Sequence, residues 1–314
     1  VLKGKGIWLK YSHDLTRALE MAIAIKATHL LIKVGHVPAY FPESARITLK
    51  RVRDQGYIPL AWVYVSSSWA YEAVYIADKA LSLGYAGVVF WVTNLERFNG
   101  QLRRWADALQ ESQLDRRQLY LATPPLPHII QPEGLKTLAT LCEGGWMPFC
   151  FPQYGPAQQV IGRDVYQSLQ DLSLIWNRTP AIYPVLTSLL AGENQTILPE
   201  AFIPWVESIA QRGEDFFSVY HAAGLERAFW PLLATIGQGQ EESAPVPAVP
   251  EAGKAPVAQP VFIVVQPQDS VSALVARYGI TREQFWEWNG YLWDERGMPR
   301  DPDYMQAGWR VRVR

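Results

Sequence analysis

The stretch GYIPLAWVYVSSSWAYEAVYIADKALSLGYAGVVFWV (56–92) decides the fold. It opens on a short β-rich run, YIPLAWVYV (57–65), made of the β-branched and aromatic residues that fit a pleated surface. A helical pattern follows in EAVYIADKALSL (72–83), with apolar residues three and four apart. Gly84 then stops the helix, because a residue without a Cβ takes the left-handed conformation where a helix turns back into a strand. A second β-rich run, GVVFWV (87–92), completes one strand–helix–strand unit.

The unit recurs on both sides. Upstream stand GIWLK (6–10) and LLIKV (30–34); downstream come LYLA (119–122), WMPFCF (146–151), AIYPVL (181–186) and FFSVY (216–220). Helical patterns lie between them, among them DLTRALEMAIAIKA (14–27), ITLKRVRDQ (47–55) and PEAFIPWVESIAQR (199–212). Gly56, Gly144 and Gly213 occupy the same helix-to-strand position as Gly84. Eight strands with intervening helices, at roughly 25–35 residues per unit, predict an α/β fold of the (β/α)8 type. No GxGxxG follows the first strand, so an open dinucleotide-binding sheet has no support.

The barrel is expected over 1–236, and a composition break ends it. In QGQEESAPVPAVPEAGKAPVAQP (238–260), Ala-Pro and Val-Pro pairs exclude helix and central strand and favour extended polyproline II. Residues 237–260 therefore read as a semi-rigid linker before a second domain at 261–314.

Composition narrows the function. Of 314 residues, 49% are hydrophobic and 19% charged, with a formal net charge of −1, so no basic field invites nucleic acid or an anionic membrane. Every long apolar stretch is soon broken by Gly, Pro or charge, and no membrane span is expected. The chain starts at Val1, which reads as a processed or trimmed form. The two cysteines, Cys142 at a helix end and Cys150 in a strand, read as packed thiols rather than a disulfide. The 13 Trp, 15 Tyr and 11 Phe supply flat faces suited to sugar rings, although a large barrel buries many aromatics in any case.

The last 54 or so residues order as strand (Phe262–Val265), helix (Val271–Tyr278), a second helix from Thr281 and a closing strand (Trp309–Val313). Thr281 and Gln284 have the spacing of a capping box. In QPQDSVSALVARYGIT, QFWEWNGYL and MQAGWRVRVR this segment resembles the LysM family, a small βααβ module. The resemblance implies a groove for N-acetylglucosamine units of peptidoglycan or chitin, mapping to Pro267, Gln268, Asp269, Ser270, Val271 and Asn289. Trp293, Tyr304 and Gln306 complete it in a loop longer than the family's. Gln268 stands where the family usually has Gly. Such a groove needs backbone donors and acceptors for the acetamido group and an apolar wall for its methyl, which Trp293 and Tyr304 are placed to supply. Trp293 has a plainer reading as packing for the long loop.

Barrel sites gather at the C-terminal ends of the strands. There the sequence puts Trp62, Tyr64, Trp69, Trp91, Gln153 and Tyr154 at the mouth, together with Lys10, His13, Lys33, His36 and His221. GYAGVVFWVTNLE (84–96), GGWMPFCFPQYG (144–155) and PLAWVYVSS (59–67) resemble the fourth, sixth and third strands of glycoside-hydrolase-like barrels that act on cell-wall glycans. In that family the fourth strand carries an Asp-x-Glu. Here Trp91 and Thr93 stand in those places. Glycoside hydrolysis needs two carboxyl groups across the scissile bond, one of them holding a proton. The remaining candidates are Glu96 with Asp14 or Glu193, and Glu96 reads more simply as a solvated acid beside Arg97. Lys10 or Lys33 as a Schiff base is weaker than a solvated ammonium, and no carboxylates converge on the histidines to hold a metal.

The expectation is an extracellular or cell-envelope protein that binds N-acetylglucosamine-containing glycans, with a glycosidase-like barrel short of its acids, no cofactor and no metal. Two alternatives stay open: an active cell-wall hydrolase with displaced acids, and a structural component of a phage tail, injection apparatus or surface filament, with protein partners.

Overall fold

A computed structural model describes residues 1–65, 70–92, 102–125, 140–167, 170, 173, 181–188, 197–222, 224–236, 262–266, 269–289 and 310–313. The chain divides into two compact units, the first made mostly of residues up to Pro245 and the second mostly of residues from Val246 on. The linker 237–260 lies outside the described residues.

The first unit is a closed barrel of eight parallel strands. They are β1 (Gly4–Leu9), β2 (His29–His36), β3 (Ile58–Val65), β4 (Val88–Val92), β5 (Leu119–Thr123), β6 (Gly145–Cys150), β7 (Val185–Leu186) and β8 (Phe216–Val219). Each pairs with its sequence neighbour, and β8 returns to β1 in the register Gly4↔Phe216 to Ile7↔Val219. Ala39–Tyr40 adds a short antiparallel extension to β2. All eight expected runs are strands. The seventh is shorter than the run AIYPVL, since Pro184 has no N–H for the ladder and only a bridge between Trp146 and Ile182 extends the pairing.

Helices α1 (Leu15–Ile25), α2 (Pro42–Asp54), α3 (Ala70–Leu83), α4 (Leu102–Glu111), α5 (Pro199–Ala210) and α6 (Trp230–Thr235) flank the barrel, with a π-helical segment at Gln158–Gln167. Helix α2 begins five residues before its apolar pattern, with Pro42 in the first turn, where a missing N–H costs nothing. The Lys5 ammonium donates to the carbonyls of Leu233 (2.9 Å) and Ala234 (3.2 Å), tying the end of α6 to β1.

Gly56, Gly84 and Gly213 have positive φ (82°, 100° and 63°), as their positions predict. The fourth expected stop is displaced: the positive φ (141°) belongs to Gly145, not Gly144. Both glycines sit where a Cβ would clash, 2.6 Å from the Leu119 carbonyl oxygen at Gly144 and 2.5 Å from the Tyr183 ring at Gly145. Helix α1 ends without glycine, on Lys26 in the left-handed region (φ 55°).

Residues alternate along each strand between two cores. Those facing outward, such as Ile7, Leu9, Val63, Val88 and Phe90, pack under the helices. Those facing inward, such as Trp8, Leu31, Trp62, Trp91, Phe149 and Phe216, fill the barrel. Cys142 and Cys150 are both buried free thiols, as expected. Among the described residues, no helix is long and apolar enough to cross a membrane.

The second unit contains β9 (Phe262–Val264), α7 (Val271–Tyr278), α8 (Arg282–Asn289) and β10 (Arg310–Arg312). The two strands pair antiparallel in the register Phe262↔Arg312, Ile263↔Val311 and Val264↔Arg310. Val265, Val271, Leu274, Phe285, Val311 and Val313 form its core. The capping box is present with both bonds: Thr281 N donates to Gln284 Oε1 (2.9 Å), and Gln284 N donates to Thr281 Oγ1 (3.1 Å).

Candidate functional site

The interior of the barrel narrows to a cluster of rings under its mouth. Gly6 in β1 makes room for it: a Cβ there would come within 2.7 Å of both Leu31 and Phe216. Trp8 lies beside it and donates its indole N–H to Ser218 Oγ (2.8 Å). Trp62 donates to the Leu9 carbonyl (3.2 Å) and is buried, so it belongs to the packing under the mouth rather than to the rim.

Trp91 is the centre of the cluster. Its ring lies 5.2 Å from Trp8, 4.9 Å from Trp62, 4.8 Å from Phe149 and 4.5 Å from Tyr220. Only 7% of it is exposed. Its Nε1–H has no hydrogen-bond partner among the described residues, unlike those of Trp8 and Trp62. Above it Phe151 stacks on Phe149 (5.0 Å), and Tyr154 stacks on Phe151 (6.2 Å). The inward positions of β4 are thus Val89 and Trp91, both apolar.

Around this cluster stand the polar groups. The Lys33 ammonium lies 5.6 Å above the Trp62 ring and 6.0 Å from Phe41, in cation–π range. His36 meets Tyr64 edge-on at 4.6 Å, and burial, then the Lys33 charge, keeps its pKa below the usual imidazole value. Asp14 ends the turn Ser12–Asp14 that leads from β1 into α1; burial lifts its carboxyl to about 6 against the pull of Arg17 and Lys10. Among the described residues, no three His, Cys, Asp or Glu side chains converge as metal ligands do.

Of the expected mouth residues, Trp62, Tyr64, Trp91 and Tyr154 come together, Tyr64 lying 6.4 Å from Trp91. Gln153 sits beside Tyr154 in the turn Pro152–Tyr154 and is exposed. Trp69, Glu96 and Glu193 lie outside the described residues. Trp8, Phe149 and Phe151 belong to the cluster although sequence reasoning passed over them. The signal was available: each falls on the same two-residue alternation as an inward neighbour.

In the second unit Asp269 is buried, accepting from Gln266 N (2.8 Å) and pairing with Arg277 (3.3 Å). Ser270 caps α7 by accepting from Ala273 N (3.2 Å), Val271 is core, and Asn289 is buried with its amide on the Phe285 carbonyl (2.9 Å). Pro267, Gln268, Trp293, Tyr304 and Gln306 lie outside the described residues.

No protein-family model matches the chain, and neither does any curated protein. Among solved structures it is similar to a chitinase from Chromobacterium violaceum, at 12% identity and a TM-score of 0.51, over 76% of this chain and 100% of that one. A class V chitinase from Pseudomonas fluorescens scores 0.48 at 12% identity, over 74% and 98% of the two chains. A 4-hydroxy-tetrahydrodipicolinate synthase from Methylacidiphilum fumariolicum scores 0.44 at 14% identity, over 75% and 73%. At this identity the likeness to the first establishes a shared barrel fold.

Proposed function

We propose that this chain is an extracellular or cell-envelope glycan-binding protein whose glycosidase-like barrel does not hydrolyse, and whose segment 261–314 is a LysM-type module for N-acetylglucosamine polymers. One observation carries the reading of the barrel: the inward end of β4 presents Trp91, held among four other rings, where a glycosidase of this kind needs acids. An indole neither gives up a proton at working pH nor attacks an anomeric carbon. The module reading rests on the strand–helix–helix–strand order and its reciprocal cap. In this reading Asp269, Ser270, Val271 and Asn289 shape the groove from within, and a sugar would meet backbone and the loop residues.

The test is sedimentation of the full chain with insoluble chitin and with peptidoglycan, beside a form ending at residue 236. Full-chain binding that the shortened form lacks, with no release of reducing ends, is the expected result. A full chain that stays in the supernatant removes the binding role, and release of reducing ends removes the non-catalytic one.

One observation favours a hydrolase instead: burial raises the Asp14 carboxyl to about 6, the direction a general acid needs. In that case wild type cleaves wall substrate and Asp14→Asn does not.

A further inference from the structure

On the outer wall of the barrel, the π-helical segment Gln158–Gln167 and the end of α5 border an open cleft of about 430 Å³. It is lined by Gln158, Gly162, Ser208, Gln211 and Arg212. Ten successive residues in the π form are unusual, since π structure is rare and occurs mostly as single turns inside α-helices, frequently at functional sites. Gln158 and Gly162, four residues apart, share the face of this segment that meets the cleft.

Arg212 is exposed, and its guanidinium lies 4.0 Å from the centroid of the Tyr166 ring. That ring is fixed in turn, because Tyr166 donates its hydroxyl proton to Glu214 Oε1 (2.5 Å). A guanidinium stacked on a ring keeps its edge N–H groups available for a planar, two-oxygen acceptor. None of the five lining residues is acidic; Glu214, which accepts from the Tyr166 hydroxyl, lies close enough for the Arg212 charge to pull its pKa down against its burial. Gly162 keeps the space open: a Cβ there would meet only Arg212 Nη2, at 3.7 Å, so a long side chain would fill the cleft without straining the backbone.

We propose that this cleft binds the carboxylate of a small hydrophilic molecule, with Arg212 taking the carboxylate. The Gln158 and Gln211 amides and the Ser208 hydroxyl take the hydroxyl or amide groups beside it. A single cation suits a monoanion, and the volume lies at the small end of ligand sites. Two sources share this chemistry, a sugar acid and the free C-terminus of a short peptide. The site is independent of what the barrel mouth does.

Calorimetric titration of the full chain tests it, using D-glucuronate against glucose and glycylglycine against its amide. One acid is expected to bind at least about tenfold more tightly than its neutral counterpart, and the tighter acid identifies the carrier. Arg212→Gln and Gly162→Leu are each expected to weaken that binding about tenfold while the melting temperature holds. If either variant unfolds, the acid-against-neutral comparison in the wild type decides alone. No binding of either acid up to about 10 mM, equal binding of acid and neutral partner, or folded variants that bind like wild type would overturn the proposal.

Discussion

The Trp91 indole meets the Tyr220 ring edge to face, with 4.5 Å between centroids and 75° between planes. Trp91 is on β4 and Tyr220 directly follows β8, so this one contact spans the bore of the barrel between strands on opposite sides. The interior is closed by aromatic packing at the level where barrel enzymes carry their chemistry.

The indole donors in that packing differ, and stability should record it. Trp8→Phe strands Ser218 by removing a 2.8 Å hydrogen bond, whereas Trp91→Phe removes no bond to a described residue. Trp8→Phe is therefore expected to cost about 1 kcal/mol more than Trp91→Phe in urea unfolding. Equal costs would reveal a partner for the Trp91 N–H.

Asp14 should make stability fall as pH rises. Its folded pKa, about 6, lies above the ordinary aspartate value of 3.8, so between these pH values the folded chain holds more protons than the unfolded one. Stability from this group is full below pH 3.8, declines up to about 6 and stays low above it. Asp14→Asn removes the decline, and the variant should gain on wild type by up to about 3 kcal/mol between pH 4 and pH 7. Melting temperatures at the two pH values check the sign.

Burial raises both thiols, Cys142 to about 12 and Cys150 further, leaving almost no thiolate at neutral pH. Iodoacetamide should label neither in the native protein and both in denaturant, as read by mass spectrometry. Fast native labelling of either would contradict its burial.

In the second unit, Thr281→Ala breaks one arm of the reciprocal cap at the start of α8. The expected loss is about 1 kcal/mol of that unit's stability, read as earlier exchange of the α8 amides. Unchanged exchange would show that tertiary packing alone holds the helix.

The barrel was legible because its period is local. Runs such as GVVFWV and helices such as α3 announce themselves over a few residues, and Gly56, Gly84 and Gly213 punctuate them with a φ that other residues resist. Local rules missed where neighbours in space overrode them. Gly145 rather than Gly144 takes the positive φ, and it packs against Tyr183, far along the chain, with no room for a Cβ. Likewise no local pattern marks Gln158–Gln167 as π-helical.

Chain order alone was enough to say that β4 carries Trp91 beside its last residue, Val92, since the identity of a residue is a property of the chain. The fate of that indole was settled by folding. It is walled in by Trp8, Trp62, Phe149 and Tyr220, drawn from four other places in the sequence, because closing the barrel points alternate side chains of every strand into one shared space. Whether Asp14 holds a proton was decided the same way, by a burial to which its sequence neighbours Lys10 and Arg17 are opposed.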